Sequence, residues 1–389
     1  MKFKIILLFF CCFFALTSCI NEDIKSIQFI SFDEVVYDFE LKVGENIDEP
    51  ILLTKEGYSF LGWYKDKELT DLYYFNDVVI EDRIFYAKWL KATEEKYFDF
   101  EEIDGKLTLV NFKYLENNDK TIVIPQTVNG KIVKVISEGV YHKEDEIIRS
   151  YIIPEGIEEI GQDCFYESKI DELYLPRNIK IFQGIPFGFS IINKVYMNSQ
   201  DAVFENGKDE KKAFSFSRIN EFYYSGGIKV FDFSKYIYFY ITTLIMHDDV
   251  EEISANAFIR PALTSINNII FSKNLKIINE KAFFGMKRLT SLNLPEGVEI
   301  IKKNAFASCP LRYVLIPSGV KVLEEGIFTS PLQAAYISGN IEIFEPKVFP
   351  KGTVLFIDLA EAKDTWDEDW NNDYVIYWLR SIDGGNYYE

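Results

Sequence analysis

A chain of 389 residues that is 48% apolar and 16% aromatic carries enough side-chain material for a large core, which excludes a disordered polypeptide. Its formal net charge of −19 disfavours nucleic acid and anionic membrane surfaces as partners and favours solubility. Of the five cysteines only Cys164 and Cys309 lie beyond the leader region. Two distant cysteines make neither a disulfide framework nor a metal site, and both are expected to be small buried apolar residues.

The chain begins with the short basic run Met1-Lys2-Phe3-Lys4, followed by an apolar stretch from Ile5 to Leu16. That stretch is too short for a stable membrane span and reads as the core of a secretory signal over residues 1–18. The next residues, Leu16-Thr17-Ser18-Cys19, resemble a bacterial lipobox. The resemblance implies that the Cys19 thiol is acylated, that cleavage leaves Cys19 as residue one, and that the protein is lipid-anchored at the outer face of the bacterial cell membrane or at the cell surface. Several acyl chains suffice for stable anchoring, since each buried methylene adds about 0.8 kcal/mol. Residues 19–26, with Ile20-Asn21-Glu22-Asp23, read as a polar tether.

Residues 27–90 form a first small unit. Tyr58, Phe60 and Tyr64 alternate with Ser59, Leu61 and Trp63 as a strand does, Gly57 and Gly62 allow turn or bulge geometry, and Trp63 and Trp89 are large enough to fill a small core. The series Lys55-Glu56-Gly57-Tyr58-Ser59-Phe60, Gly62-Trp63-Tyr64 and Ile84-Phe85-Tyr86-Ala87-Lys88-Trp89 resembles the Listeria–Bacteroides repeat family, which implies a small β-grasp-like domain. The sequence departs from that family at Ser31-Phe32-Asp33-Glu34, where a Gly-rich hairpin is usual, so the first hairpin is left open.

Internal periodicity dominates residues 97–360. Tyr151-Ile-Ile-Pro-Glu-Gly-Ile-Glu-Glu-Ile160, Leu292-Asn-Leu-Pro-Glu-Gly-Val-Glu-Ile-Ile301 and Val314-Leu-Ile-Pro-Ser-Gly-Val-Lys-Val-Leu323 align. Each is followed by a small or aliphatic residue and an aromatic: Cys164-Phe165, Ala305-Phe306 and Ile327-Phe328. Ala257-Phe258, Ala282-Phe283 and Val348-Phe349 are further copies, with Val140-Tyr141 and Pro186-Phe187 as looser ones. Phe283, Phe306, Phe328 and Phe349 are 23, 22 and 21 residues apart. Units of that length cannot bury an apolar face singly, and stacking gives them a shared core. In Leu292-Asn293-Leu294 the two leucines share a strand face, Pro295 ends the strand, Gly297 permits a turn, and the closing aromatic fills the interior. The pattern resembles the BspA-type leucine-rich repeats. The expected fold is therefore mainly β with short helical turns, a solenoid preceded by the β-grasp-like domain.

The rhythm is irregular at 198–244, the most aromatic part of the chain, where two degenerate coils fit, closed by Val203-Phe204 or Ala213-Phe214. The plain expectation is aromatics packed inside imperfect repeats. The sharper one is an exposed ligand patch of Phe222, Tyr223, Tyr224, Tyr236, Tyr238 and Tyr240. Residues 361–389, with Trp366, Trp370 and Trp378, are expected to cap the open end of the array.

No phosphate loop, nucleophile elbow or His-Glu-x-x-His motif is present. His247 stands beside Asp248 and Asp249, but aligns with the turn proline Pro154, and His142 lies in a charged loop with no spaced partner. No catalytic group, cofactor or metal is expected, and the chain is not expected to be an enzyme. The BspA resemblance implies a cell-surface adhesion role toward extracellular protein or glycan ligands, and the net charge speaks against a nucleic-acid partner. The alternatives are a spacer lipoprotein without a specific ligand and, last, a secreted glycan hydrolase, which requires paired carboxylates in a cleft.

Overall fold

The computed structural model describes residues 23–379 apart from 76, 114–118, 141–147, 200–202, 206–212, 225, 235–239, 259–264 and 339–340. Cys19, His142, Tyr141, Tyr236 and Tyr238 lie outside the described residues, as does the secretory segment.

The first unit has four strands: β1 (Ile24–Ser31), β2 (Glu34–Lys42), β3 (Tyr58–Tyr64) and β4 (Arg83–Lys91). They lie in the order β2-β1-β4-β3, with β1 and β4 parallel and the outer pairs antiparallel. The hairpin left open by the sequence closes through Phe32 and Asp33, both left-handed at φ 52° and 63°. Two positive φ values in a two-residue loop match the twist of the flanking strands without glycine. The unit has its own core, in which Trp63 meets Phe29 at 4.8 Å between ring centres. Trp89 is only partly buried at its edge and donates from Nε1 to Ser31 Oγ at 3.0 Å.

The simple alternation expected for β3 is broken. The pairing register shifts between Phe60 and Trp63, and Gly62 sits at φ +111°. The bulge turns both Phe60 and Trp63 into the unit's own core. Ser59, Leu61 and Tyr64 are also buried, because the opposite face of β3 rests on the repeat array.

The array opens with a 3-10 turn, Glu95–Tyr97, the hairpin β5 (Phe98–Ile103) and β6 (Lys106–Phe112), then β7 (Thr121–Val123), β8 (Thr127–Val128) and β9 (Lys131–Ile136). Two strands per coil follow: β10 (Arg149–Ile152), β11 (Glu159–Ile160), β12 (Lys169–Leu175), β13 (Ile181–Gln183), β14 (Ile191–Met197), β15 (Val203–Glu205), β16 (Arg218–Tyr224), β17 (Val230–Phe231), β18 (Tyr240–Met246), β19 (Glu252–Ile253) and β20 (Asn268–Ile270). The last coils hold β21 (Ile277–Ile278), β22 (Ile300–Ile301), β23 (Tyr313–Ile316), β24 (Val322–Leu323), β25 (Ala334–Ile337), β26 (Ile343–Phe344), β27 (Val354–Ile357) and β28 (Val375–Trp378). The longer strands stack in parallel as a front sheet, β7-β10-β12-β14-β16-β18-β20, resumed by β23-β25-β27-β28. The short strands form the back of each coil. The fold is thus a nearly all-β solenoid, with hydrogen-bonded turns where the coil closes.

One continuous core runs from Phe98 to Trp370. The closing aromatics stand in a column: Phe258, Phe283, Phe306, Phe328 and Phe349 stack at 4.9, 4.9, 5.6 and 5.3 Å between centres. Phe165, Phe187 and Phe214 stack likewise at 5.4 and 4.9 Å. Cys164 and Cys309 are buried free thiols. Trp366 and Trp370 close the far end against Phe344, and Trp366 Nε1 donates to Ile341 O at 2.9 Å.

The irregular stretch is carried by the same coils. Inward residues Ile170, Ile192, Ile219 and Ile241 are in register at steps of 22, 27 and 22 residues. The long step belongs to one coil, whose five extra residues fall between Glu205 and Ala213. Of the two candidate closers, Ala213-Phe214 is the one used, since Phe214 stacks on Phe187. Phe204 instead pairs in register with Phe182 on the back strands.

Candidate functional site

Each long front strand exposes and buries its residues in one fixed order. In β12, β14, β16 and β18 the second, fifth and seventh residues are buried and the third and fourth both point outward. The sixth residue, just before the last inward one, therefore faces out at the same level on every coil. Those residues are Tyr174, Tyr196, Tyr223 and Ile245, in direct register. Tyr196 and Tyr223 stack at 4.6 Å with their planes 20° apart, and Tyr174 lies 6.2 Å from Tyr196. Rings stacked from strand to strand stand on edge, so they present edges and hydroxyls outward.

This arrangement divides the expected patch. Phe222 and Tyr224 are not part of a surface: they are 0% and 4% exposed, inward residues of β16 packed on Phe231 and Phe233. Tyr223 belongs to the outward ladder, and Tyr240, 53% exposed, begins β18 at the other end of the same sheet face. Tyr174 and Tyr196 escaped the sequence reading. Their signal was available: an aromatic in the outward slot before the strand-ending residue, repeated one coil later.

The first unit docks on this ladder and makes it one wall of a cleft of about 830 Å³. Tyr174 donates its hydroxyl to Leu61 O at 3.1 Å and meets the Tyr64 hydroxyl at 3.5 Å, while Tyr74 donates to Asn198 Oδ1 at 3.0 Å. Burial pushes the Tyr64 phenol up to about 12 and lowers Lys88, whose ammonium lies 4.7 Å above the Tyr64 ring. Gly226 leaves no room for a side chain between the two units: a Cβ there would stand 2.4 Å from Tyr74 Cε2 and 2.5 Å from His247 Nδ1.

His247 closes one end of the cleft. Its Nδ1 accepts from the Asp249 backbone N–H at 3.2 Å, and its Nε2 lies 3.7 Å from Asp71 of the first unit. Burial of Asp249 works against its ionised form but is outweighed by His247, the Gly227 N–H at 2.7 Å and Lys65, which together lower it to about 2. The turn position expected for His247 is correct, and the fold also makes it a contact across the two units. Among the described residues no group of three His, Cys, Asp or Glu side chains could hold a metal ion. No described helix is long and apolar enough to cross a membrane.

Docking rests on buried polar groups. Glu155, fully buried, accepts from the Arg177 backbone N–H at 3.2 Å and from Arg177 Nε at 3.3 Å, and Arg177 reaches back to Glu49 at 2.6 Å. Burial raises the Glu155 carboxyl above the usual carboxylate range against the pull of Arg177. For Arg177 desolvation is outweighed by Glu155 and Glu49, which hold the guanidinium firmly charged. Gln126 joins the units again, donating to Leu53 O and Glu155 O and accepting from Phe60 N–H.

Comparison with known proteins agrees with both architectures. The Listeria-Bacteroides repeat domain matches residues 26–88. Two proteins of Evansella cellulosilytica, a putative membrane protein and a putative Gly-rich membrane protein, are 49% and 46% identical to this chain over 55 residues, 14% of its length. The aligned stretch spans only 8% and 6% of those relatives, under a tenth of either. Among solved structures, the pneumococcal vaccine antigen PcpA is 14% identical, with 72% of this chain and 96% of that one covered at a TM-score of 0.33. A leucine rich cell surface protein of Faecalibacterium prausnitzii is 17% identical, with 64% and 96% covered at 0.29. A leucine-rich repeat protein of Bacteroides ovatus is 15% identical, with 72% and 74% covered at 0.30. The BspA type leucine rich repeat region matches in six copies over residues 134–264 and 261–369, more than half of the chain, and the protein belongs to that family.

Proposed function

We propose that this protein is a lipid-anchored binding protein of the bacterial cell surface, an adhesin that holds an extracellular protein or glycan ligand in the cleft between its first unit and the front sheet. The carrying observation is the tyrosine ladder, Tyr174, Tyr196 and Tyr223, set as one wall of a cleft whose other wall is the first unit, with its own sheet and core. Tyrosine offers large, rigid, amphipathic contact area at low entropic cost, and sites between units are common ligand sites. A spacer has no need of such a cleft. The Leu16-Thr17-Ser18-Cys19 sequence supports attachment through acylated Cys19, and the membrane proteins named among the relatives are consistent with a surface location.

Two measurements test this. In cells fed labelled fatty acid, the chain should take up label and sediment with membranes, and Cys19→Ala should abolish both. In a screen of the anchor-free protein against matrix proteins, host-cell surfaces and glycans, the Tyr196→Ala/Tyr223→Ala double variant should bind the recovered ligand roughly tenfold or more weakly, the scale of a binding hot spot. An unlabelled chain sinks the anchor, and equal binding by the double variant sinks the cleft.

A further inference from the structure

The front sheet has a second half. At the starts of the same strands lies an open groove of about 870 Å³. Its charge is opposite to that of the whole protein: the net value is −19, yet the groove is lined by Lys169, Arg218 and Arg288 with Asp171 as its one carboxylate among the described residues. Asp171 is engaged by Asn193 Nδ2 at 3.1 Å, and Asn193 in turn accepts from Asn220 Nδ2 at 3.2 Å. Elsewhere on the array lysines are matched coil to coil with glutamates, as Lys194 with Glu172, Lys276 with Glu251 and Lys321 with Glu299. Among the described residues no carboxylate lies within ion-pair distance of the three groove cations.

We propose that this groove binds an acidic oligosaccharide, one bearing carboxylate or sulfate groups on more than one sugar. The inference rests on the reading of the front sheet as a ligand-binding face and names the ligand's chemistry. Lys169 and Arg218 begin strands two apart in the sheet, so their backbones are separated by about 10 Å. With Arg288 also in the lining, the groove holds several cations set apart along it, which a ligand with acidic groups on successive sugars can meet separately. The Arg218 backbone is fixed, its N–H donating to Ser190 O at 2.8 Å, so the guanidinium is presented from a rigid strand. A guanidinium matches carboxylate and sulfate oxygens through paired donors. Between the cations the lining mixes amides and hydroxyls, suited to sugar hydroxyls, with apolar side chains, of which Ile148, Ile191 and Tyr240 are 53%, 54% and 53% exposed and offer apolar contacts.

An extended acidic peptide fits less well. Peptide strands add to a free sheet edge, whereas this floor is the face of a sheet whose strands are paired on both sides. A long polyanion such as duplex DNA leaves the groove for a surface of its own sign. At physiological salt the screening length of about 8 Å lets three local cations act on a short ligand despite the net charge.

The test is calorimetric titration of the full-length chain in non-ionic detergent with a sulfated uronic-acid hexasaccharide, its desulfated carboxyl-reduced counterpart, an acidic hexapeptide and a short DNA duplex. The acidic hexasaccharide should bind, weaken as salt rises, and outbind the neutral counterpart and the other two probes roughly tenfold or more. Arg218→Gln/Arg288→Gln should lose binding by a similar factor, and Arg288→Gln alone, a change on an exposed turn, should lose part of it. Equal affinity for the neutral sugar, tighter binding of peptide or duplex, no binding of the acidic sugar, or unaltered binding by both variants each overturns the proposal. The Tyr196→Ala/Tyr223→Ala result separates the two readings: if it weakens binding of a screened ligand while the acidic sugar fails to bind, the cleft stands and only the groove falls.

Discussion

Arg177→Met isolates the polar bolt between the first unit and the array. Methionine keeps much of the side-chain volume that Arg177 places 5.3 Å from the Phe75 ring, so the change removes mainly charge. It leaves Glu155 fully buried with one backbone N–H and no cation. Breaking a buried pair by deleting one partner typically costs about 3–5 kcal/mol. Glu155 has an escape, since it can take up a proton on folding. Protonating a carboxyl of ordinary pKa about 4.3 costs about 3.7 kcal/mol at pH 7 but under about 1 kcal/mol at pH 5, at 1.36 kcal/mol per unit. The sign follows from linkage: a folded pKa above the unfolded one means that the native state binds more protons. Stability from that group is complete below the ordinary carboxylate range and is lost as pH rises through the raised value. The variant should therefore lose about 3 kcal/mol at pH 7 and recover most of it at pH 5, measured by urea unfolding at both values against the parent at the same pH. Adding Glu155→Gln to it should remove the pH dependence. A deficit equal at the two pH values, or below about 0.5 kcal/mol at pH 7, refutes the buried-pair account.

Two other outcomes follow from the packing. Phe306→Ala empties the centre of the aromatic column between Phe283 and Phe328, and a fully buried phenylalanine of this kind is worth about 3–5 kcal/mol in denaturant unfolding; a loss under about 1 kcal/mol would falsify the stacked column. Gly156→Ala and Gly297→Ala change the same repeat position, but Gly156 is at φ +107° with Ile132 Cγ2 only 2.9 Å from the added carbon, while the first neighbour at Gly297 is 3.4 Å away. The first should destabilise by about 1–3 kcal/mol and the second by well under that, and equal melting temperatures for the two variants would contradict the docked geometry at Gly156.

Much of this architecture was legible because it repeats. The apolar pair of each strand and the closing Phe recur at 21–23 residues over the regular coils, with longer steps of 25 and 27 in the less regular part, and such a repeating pattern has one economical solution, coils that bury each other's apolar side. The inward positions of Phe283, Phe306 and Phe328 follow from that alone. In the aromatic stretch the rule was weaker. Phe204 and Phe214 both fit a closing position by composition, and only strand register separated the back-strand residue from the closer. Phe222, Tyr223 and Tyr224 are adjacent in sequence, and the pleat sends the first and third inward and the second out.

The amino-acid sequence by itself determined the solenoid, its period and the existence of a separate first unit, because those depend on interactions within a coil and between adjacent coils. It did not determine the sites, which depend on residues far apart in the chain. Glu155 and Glu296 occupy the same Pro-Glu-Gly motif, yet one is fully buried against Arg177 and the other lies exposed, because the first unit folds back over one coil and not the other. The same docking turns Tyr174, Tyr196 and Tyr223 from surface residues into a cleft wall and sets Asp71 beside His247. Periodicity is a property of neighbours in sequence, whereas which outward face becomes covered is decided by how two units, each with its own core, meet.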